Sequence, residues 1–311
     1  MILGLDTSNY TTSCSLADGT EVLCDKRQML KVPEKMKGLR QSEAFFQHIN
    51  NLPELIDECV GDSNVKAVAV SLTPRRVEGS YMPCFTAGAQ TARCIASVLH
   101  VPVIGTTHQE GHIRAALIGT DISDSDPFIC VHLSGGTTEI LSCRRDELGY
   151  ATQIVGRTID ISAGQLIDRL GVLTGLPFPC GKAMDEAYRP GGGRAFRPSV
   201  KGSLMSFSGI ETRAAQMYKK GELDEVSLYS AIFDVIAESL VRAVSSASKE
   251  TGINTVLFAG GVSSSQNIAS MIGSGLPGSI KCRFSLKRYA SDNAAGVALI
   301  GNERLKDYAV R

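Results

Sequence analysis

The sequence has no excess charge of either sign, with 32 Lys+Arg against 32 Asp+Glu. Such balance gives no global pull toward nucleic acid or an anionic membrane, so any such surface must come from local clustering or a partner. No run of about 18 apolar residues occurs, which excludes a spanning helix. The N-terminus, MILGLDTS, lacks a basic segment ahead of an apolar one and does not read as a signal peptide. The nine cysteines are scattered and none forms a C-x-x-C pair. That pattern fits reduced thiols better than a disulfide framework. Together these absences predict a cytoplasmic protein without a membrane role. Neither a P-loop nor a dinucleotide fingerprint is present.

What is present is an ordinary globular mix, 43% hydrophobic and 21% charged over 311 residues, long enough for one large or two medium domains. The chain opens with an apolar run ending at Asp6, a small polar turn, and a resumed strand. Asp18-Gly19 is a hairpin signal leading to a third strand. A helix is predicted over about 42–59, with a break or new start at Pro53. VKAVAVSL has the continuous apolar character of a buried parallel strand. A small-residue helix over about 84–99, the strand VPVIGTT and a further helix follow.

At residue 128 the pattern restarts, because FICVHLSGGTTEILSC is again strand, small polar turn, strand. Helices are expected at about 161–174, 181–188, 209–219 and 226–251. NTVLFAGGVSSSQN then reads as strand, glycine turn and helix, and SDNAAGVALIGNERLKDYA as a last helix. Two strand–turn–strand units suggest a duplicated α/β architecture of two lobes with a nucleotide cleft between them. The first lobe would take residues 1–125 and the second 126–291, with the helix of 292–311 packing back on the first.

Three turns offer backbone N–H groups and hydroxyls of the kind that bind anions. They are DTSNYTTS, SGGTTE (Ser134, Gly135, Gly136, Thr137, Thr138) and AGGVSSS, which carries Gly260, Gly261 and Ser265. Glycine there permits close approach of phosphate.

The segment THQEGHIRAAL places His108 and His112 four apart, on one face of a helix, as two imidazoles on one metal require. A zinc-peptidase helix needs Glu directly after the first His, to act as base. Gln109 stands there, and Glu110 lies about 100° further round the helix, pointing away. Asp292, at the mouth of the last helix, is a candidate third ligand, although an aspartate so placed is ordinarily an N-cap. His48, His100 and His132 stand alone and read as structural.

In order and spacing, GLDTSNYTTS, THQEGHIRAAL, LSGGTTEI, DISAGQLIDRLGVLTGLPFPCGKAMD, MSFSGIET, LFAGGVSSSQN and SDNAAG resemble the TsaD family, formerly described as O-sialoglycoprotein endopeptidases. The resemblance spans nearly the whole chain. It implies an actin/Hsp70/sugar-kinase-like fold and metal-dependent transfer of a threonylcarbamoyl group from threonylcarbamoyl-AMP to N6 of adenosine 37 in tRNA, or a closely related carbamoyl-type transfer. It further implies one divalent metal ion, iron or zinc, on His108, His112 and Asp292. An adenine nucleotide, threonylcarbamoyl-AMP or an ATP-like ligand, would lie against Ser134 to Thr138, Asp168 and Gly181, with Asp185 in support. Implied partners are tRNA, a threonylcarbamoyl-AMP synthase, a dimerising paralogue and a small ATPase.

The chain departs from the family pattern at Tyr10 and Thr11 (an acidic pair elsewhere), at Thr137 (a histidine), at Glu211 (a lysine) and at Ser265 (an asparagine), so it resembles a divergent paralogue of the family rather than its housekeeping enzyme. PRRVEGS replaces a glycine-rich loop, bringing in Arg75 and Arg76. Two guanidiniums favour carboxylate or phosphate, so a more anionic ligand is expected there; the alternative is a solvated pair partnered by Glu78. YRPGGGRAFRPSVKG holds Arg189, Arg194, Arg197 and Lys201 without an acid and could meet a phosphate backbone. Two other functions compete: a nucleotide-binding regulatory or assembly paralogue that has lost catalysis, and a metallopeptidase.

Overall fold

The computed structural model describes residues 1–8, 10–32, 39–191 and 195–308. They divide into two compact units. The first takes Met1–Ile118, Asp146–Ala151 and the segment from Asp292 onward; the second takes Gly119–Arg145 and Thr152–Ser291.

In the first unit, β1 (Ile2–Asp6), β2 (Thr11–Asp18) and β3 (Glu21–Met29) run antiparallel, with Gly19 at φ 59° in the tight turn between the last two. Helix α1 (Gln41–Val60) leads to β4 (Ala67–Thr73), parallel to β1. Helix α2 (Phe85–Leu99) leads to β5 (Val103–Thr107), parallel to β4, and α3 (His108–Ala116) follows at once. The sheet order is β3-β2-β1-β4-β5. Contrary to expectation, α1 runs unbroken through Pro53. Its stripe of Ala44, His48, Leu52, Leu55 and Cys59 is buried on both sides of the proline, so packing holds the two halves in line against the lost hydrogen bond.

The second unit begins with β6 (Phe128–Leu133), antiparallel to β7 (Thr138–Asp146), with β8 (Gly149–Thr158) beside it. Helices α4 (Ala163–Leu173) and α5 (Gly181–Ala187) precede the short strands β9 (Ser199–Lys201) and β10 (Leu204–Ser206). Then come α6 (Ser208–Lys219), α7 (Glu225–Thr251), β11 (Thr255–Ala259), α8 (Gln266–Gly275) and β12 (Lys281–Phe284). The order is β12-β11-β6-β7-β8-β10-β9. Strand β6 meets β7 antiparallel and β11 parallel, and β11 meets β12 parallel. This repeats the order of the first sheet, with β9 and β10 added at one edge. The duplication is therefore real at the level of topology. Phe233, Ile236 and Leu240 of α7 pack with Ile129, Val131, Val256 and Phe258 of the sheet to form the core.

Strand alternation decides what covers each face of the first sheet. Leu3 and Leu5 pack with Leu52 and Leu55 of α1 and Ala92 and Ala96 of α2. Ile2 faces the other way, with Ala67, Ala69, Ile104 and Val297. Val297 belongs to the closing helix, α9 (Ala295–Tyr308). Gly4 shares that face, and a Cβ on it would fall 2.7 Å from Ala298 N. Asp6, two residues on, points to the same side. α9 also crosses α3 at glycines: a Cβ on Gly296 would fall 1.9 Å from Gly111 O, and one on Gly111 2.9 Å from Val297 Cγ2. This close crossing brings the residues just ahead of α9 to the histidine face of α3.

Candidate metal centre and nucleotide cavity

Helix α3 starts on a capping box: Thr107 Oγ1 accepts from Glu110 N, and the Glu110 carboxylate accepts from Thr107 N. With the first turn so fixed, His108 and His112 project side by side, their Nε2 atoms 3.0 Å apart. Asp292 Oδ1 lies 3.2 Å from His112 Nε2 and 3.6 Å from His108 Nε2. The N-cap duty expected of Asp292 falls instead to its neighbour, because Asn293 Oδ1 accepts from Ala295 N at 3.1 Å. That leaves the Asp292 carboxylate to face the imidazoles.

Donor atoms bonded to one metal at about 2.0–2.1 Å, at angles between octahedral and tetrahedral, stand about 2.8–3.4 Å apart. Two sides of the triangle, 3.0 and 3.2 Å, meet that requirement, and the third, 3.6 Å between His108 Nε2 and Asp292 Oδ1, lies about 0.2 Å beyond it. Side-chain exposures of 13% (His108), 10% (His112) and 29% (Asp292) leave the site one open side. Two imidazoles and one carboxylate could therefore hold a metal ion and keep positions free for ligand oxygen.

A fourth residue completes the site. Asp6 Oδ2 lies 2.9 Å from His108 Nδ1, with Asp6 wholly buried. A hydrogen bond there keeps a proton on Nδ1 and turns Nε2 toward Asp292 and His112, so that Nε2 is the nitrogen that would give up its proton to a metal. Burial works against the His108 cation, but the Asp6 carboxylate outweighs it and raises its pKa to about 9. Burial likewise opposes the Asp6 carboxylate, and the His108 charge holds it well below the usual range. In Asp292, burial is outweighed by the hydrogen bond with His112 and the two histidine charges, so that pKa is lowered too. Asp6 escaped the reading of the sequence. Its signal was an aspartate ending a buried apolar strand.

Glu110 does not join this centre. Its side chain is 4% exposed. One oxygen accepts from Thr106 Oγ1, Thr107 N and Thr107 Oγ1; the other meets Arg76 and Tyr150 N. A carboxylate so occupied cannot serve as a peptidase base. The same contacts correct the expectation for Arg76. Its partners are Glu110 and Asp146, the latter at 2.5 Å, rather than Glu78 or an external anion. A buried carboxylate needs a counter-charge, and Arg76 supplies it. Arg75 N donates to Ser80 Oγ at 3.1 Å.

The second unit contains a cavity of about 340 Å³. Of the residues expected at a nucleotide, Gly135, Asp168, Gly181, Asp185, Gly261 and Ser265 line it. Ile167, Phe233, Lys182 and Lys287, which the sequence did not single out, line it as well. Ser134 and Thr137 close the loop behind it: Ser134 N donates to Thr137 O at 2.9 Å, and Thr137 N to Ser134 Oγ at 3.0 Å. Thr138 is buried, with Oγ1 accepting from Ala163 N. A Cβ on Gly135 or Gly136 would meet open space. Gly260, at φ 97°, is obligatory, since a Cβ would fall 2.2 Å from Leu133 O.

Asp168 Oδ1 accepts from Cys180 N at 2.8 Å; burial raises its pKa, opposed by that hydrogen bond. The Asp185 carboxylate takes Ser265 Oγ and Asn267 Nδ2, at 2.5 and 2.8 Å, and so braces the start of α8. The charge reversal at Glu211 is matched by Arg169, at 3.1 Å. Tyr10 is half-exposed, and Thr11 pairs with Met29 in the sheet. Arg197 and Lys201 are exposed, whereas Arg189 donates to backbone carbonyls of Glu186 and Tyr188. Arg194 lies outside the described residues. Among the described residues, no helix is long and apolar enough to cross a membrane.

The family model for tRNA N6-adenosine threonylcarbamoyltransferase matches residues 23–299. A tRNA N6-adenosine threonylcarbamoyltransferase of Cytophaga hutchinsonii is 30% identical over 329 residues, covering 96% of this chain and 90% of the relative. A probable bifunctional tRNA threonylcarbamoyladenosine biosynthesis protein of Thermoplasma volcanium is 29% identical over 306 residues. That match covers 97% of this chain, which spans 56% of the longer protein. In fold, the chain resembles a ROK family glucokinase from Streptomyces griseus, with TM-score 0.56, 11% identity, and 96% and 97% of the two chains covered. The likeness to a sugar kinase bears out the actin/Hsp70/sugar-kinase architecture.

Proposed function

Because the chain belongs to the tRNA N6-adenosine threonylcarbamoyltransferase family, we propose that it transfers a threonylcarbamoyl group from threonylcarbamoyl-AMP to N6 of adenosine 37 in tRNA. The observation that carries this reading is the convergence of His108, His112 and Asp292, with Asp6 behind His108. A divalent iron or zinc ion on those three side chains supplies a Lewis acid for carbonyl and phosphate oxygens.

The protein's own residues do the rest. Asp6 fixes the tautomer and direction of His108. In the cavity of the second unit, Asp168 offers acceptors for ribose hydroxyls, and Ile167 and Phe233 offer an apolar wall for adenine. Gly135 and Gly261 allow backbone approach to a phosphate, and Lys182 and Lys287 offer it positive charge. In the reaction a bond forms between the acceptor nitrogen and the carbamoyl carbon. The bond from that carbon to the phosphate oxygen breaks, a proton leaves the nitrogen, and AMP departs.

Exposed Arg197 and Lys201 are candidates for tRNA phosphates. A threonylcarbamoyl-AMP synthase, a dimerising paralogue and a small ATPase are the partners this reading calls for. A cytoplasmic location follows from the same reading. The test is complementation of a strain lacking its own transferase, with threonylcarbamoyladenosine measured in its tRNA. Restored nucleoside supports the reading. Soluble, metallated protein without the modified nucleoside overturns it.

A further inference from the structure

We propose that Arg76 is a positioning residue for the metal ligands, tying the start of α3 to the hairpin tip Asp146–Ala151. The inference rests on the metal reading of His108, His112 and Asp292.

The tie is a continuous series of charge-assisted hydrogen bonds within the first unit. Asp146 Oδ1 accepts from Leu148 N at 3.0 Å and Gly149 N at 2.9 Å, which shapes the tip. Asp146 Oδ2 accepts from Arg76 Nη1. Arg76 Nη2 donates to Glu110 Oε1, which also accepts from Tyr150 N at 3.1 Å. Glu110 Oε2 closes the series on Thr107, where α3 begins.

Each end is held by backbone as well as by charge. Gln109 N donates to Pro74 O at 3.0 Å, so the loop carrying Arg76 is bound directly to the first turn of α3. The tip comes close because residue 149 is glycine, at φ 142°: a Cβ there would fall 2.6 Å from Glu110 Oε1. Glu110 sits between the two histidines in sequence, on the opposite side of the helix from the metal face. Its carboxylate therefore sets the rotation and the starting point of the helix that aims both imidazoles. A capping box alone occupies one of its oxygens. Arg76 fixes the other, which is why a loop of two arginines can stand where the family pattern has glycines.

The prediction is that Arg76 acts on metal geometry and not merely on folding. Cobalt(II) titration of the full chain reads this through the ligand-field spectrum, and amide exchange at Gly149 and Tyr150 reads the tie itself. Arg76→Met should weaken cobalt binding about tenfold, the lower end for loss of an outer-shell partner, alter the spectrum, and speed exchange at both amides. Arg76→Lys should recover part of the affinity. Arg76→Met leaves Glu110 buried without its counter-charge and so endangers folding. In Arg76→Met/Glu110→Gln that charge is gone and the capping box survives. This variant should recover thermal stability while its cobalt spectrum stays altered. Wild-type affinity and spectrum in a folded double variant overturn the inference and leave the metal reading standing. Wild-type protein that takes up no more cobalt than His112→Ala overturns the metal reading and the inference with it.

Discussion

Asp6 and His108, distant in sequence, meet with Oδ2 2.9 Å from Nδ1. The contact follows from strand alternation, which turns Asp6 to the α9 face of the first sheet, and from the immediate step from β5 into α3. It leaves only one nitrogen of His108 to face Asp292 and His112.

Asp6→Asn keeps the size of the side chain and removes its charge. Metal affinity at His108, His112 and Asp292 should fall about 10–100-fold, the range for loss of a carboxylate behind a ligating histidine. Equilibrium dialysis against buffered zinc measures it, with circular dichroism as the check on folding. Unchanged affinity would show that Asp6 is only a buried counter-charge.

The crossing of α3 and α9 tolerates no side chain at Gly296, where a Cβ would lie 1.9 Å from Gly111 O. Gly296→Ala must push the helices apart and carry Asp292 away from the histidines. Overpacking of a tight core costs about 1–3 kcal/mol, and a clash with backbone belongs at or above the top of that range. Chemical denaturation should show this loss together with loss of metal uptake. Gly209→Ala, which meets nothing within 4 Å, should cause neither.

Much of this was legible in the sequence. The histidine pair, the paired strand–turn–strand units and the glycine turns are local, and local spacing reports them. The family motifs added Asp168 and Asp185, and supported Asp292 over its ordinary reading as an N-cap. What escaped depends on tertiary structure. Asp6 acquires its role only when β1, α3 and α9 meet. Arg76 read as an anion site, or as a partner of Glu78, because its actual partners, Glu110 and Asp146, are far along the chain. Pro53 read as a break because propensity is local, while the buried stripe through Leu52 and Leu55 is not. Glu110 carried a legible signal, the T-x-x-E spacing from Thr107, which is a capping box rather than a displaced catalytic base.

Asp160 stands in for a cap at the start of α6, accepting from Ser206 Oγ, Phe207 N, Ser208 N and Ser208 Oγ. Burial opposes its charge, but these hydrogen bonds outweigh it and hold its pKa well below the ordinary 3.8. A depressed folded value means that the contribution is fully present above the unfolded pKa and is lost as pH falls through the folded one. Asp160→Asn should therefore flatten the acid limb of stability below about pH 4 and cost about 1 kcal/mol at neutral pH, as for a lost cap. Thermal unfolding across pH decides; parallel acid limbs would contradict the assignment.

Asp168 presents its carboxylate to the cavity that also holds Gly135 and Gly261. If it accepts from ribose hydroxyls, Asp168→Asn should weaken AMP binding by about tenfold or more, as for loss of a hydrogen bond to a charged group. Calorimetry with AMP and with 2′,3′-dideoxy-AMP tests this. The variant should lose affinity for AMP and little for the dideoxy compound; equal losses would place the ribose elsewhere.

The most direct measurement is single-turnover transfer from threonylcarbamoyl-AMP to unmodified ANN-decoding tRNA, by wild-type protein and by His112→Ala, each supplied with the dimerising paralogue and the small ATPase, with metal content determined on the same samples. The account predicts one bound iron or zinc and modified adenosine 37 with the wild type, and loss of both in the variant. Modified adenosine formed equally by metal-free His112→Ala would contradict it.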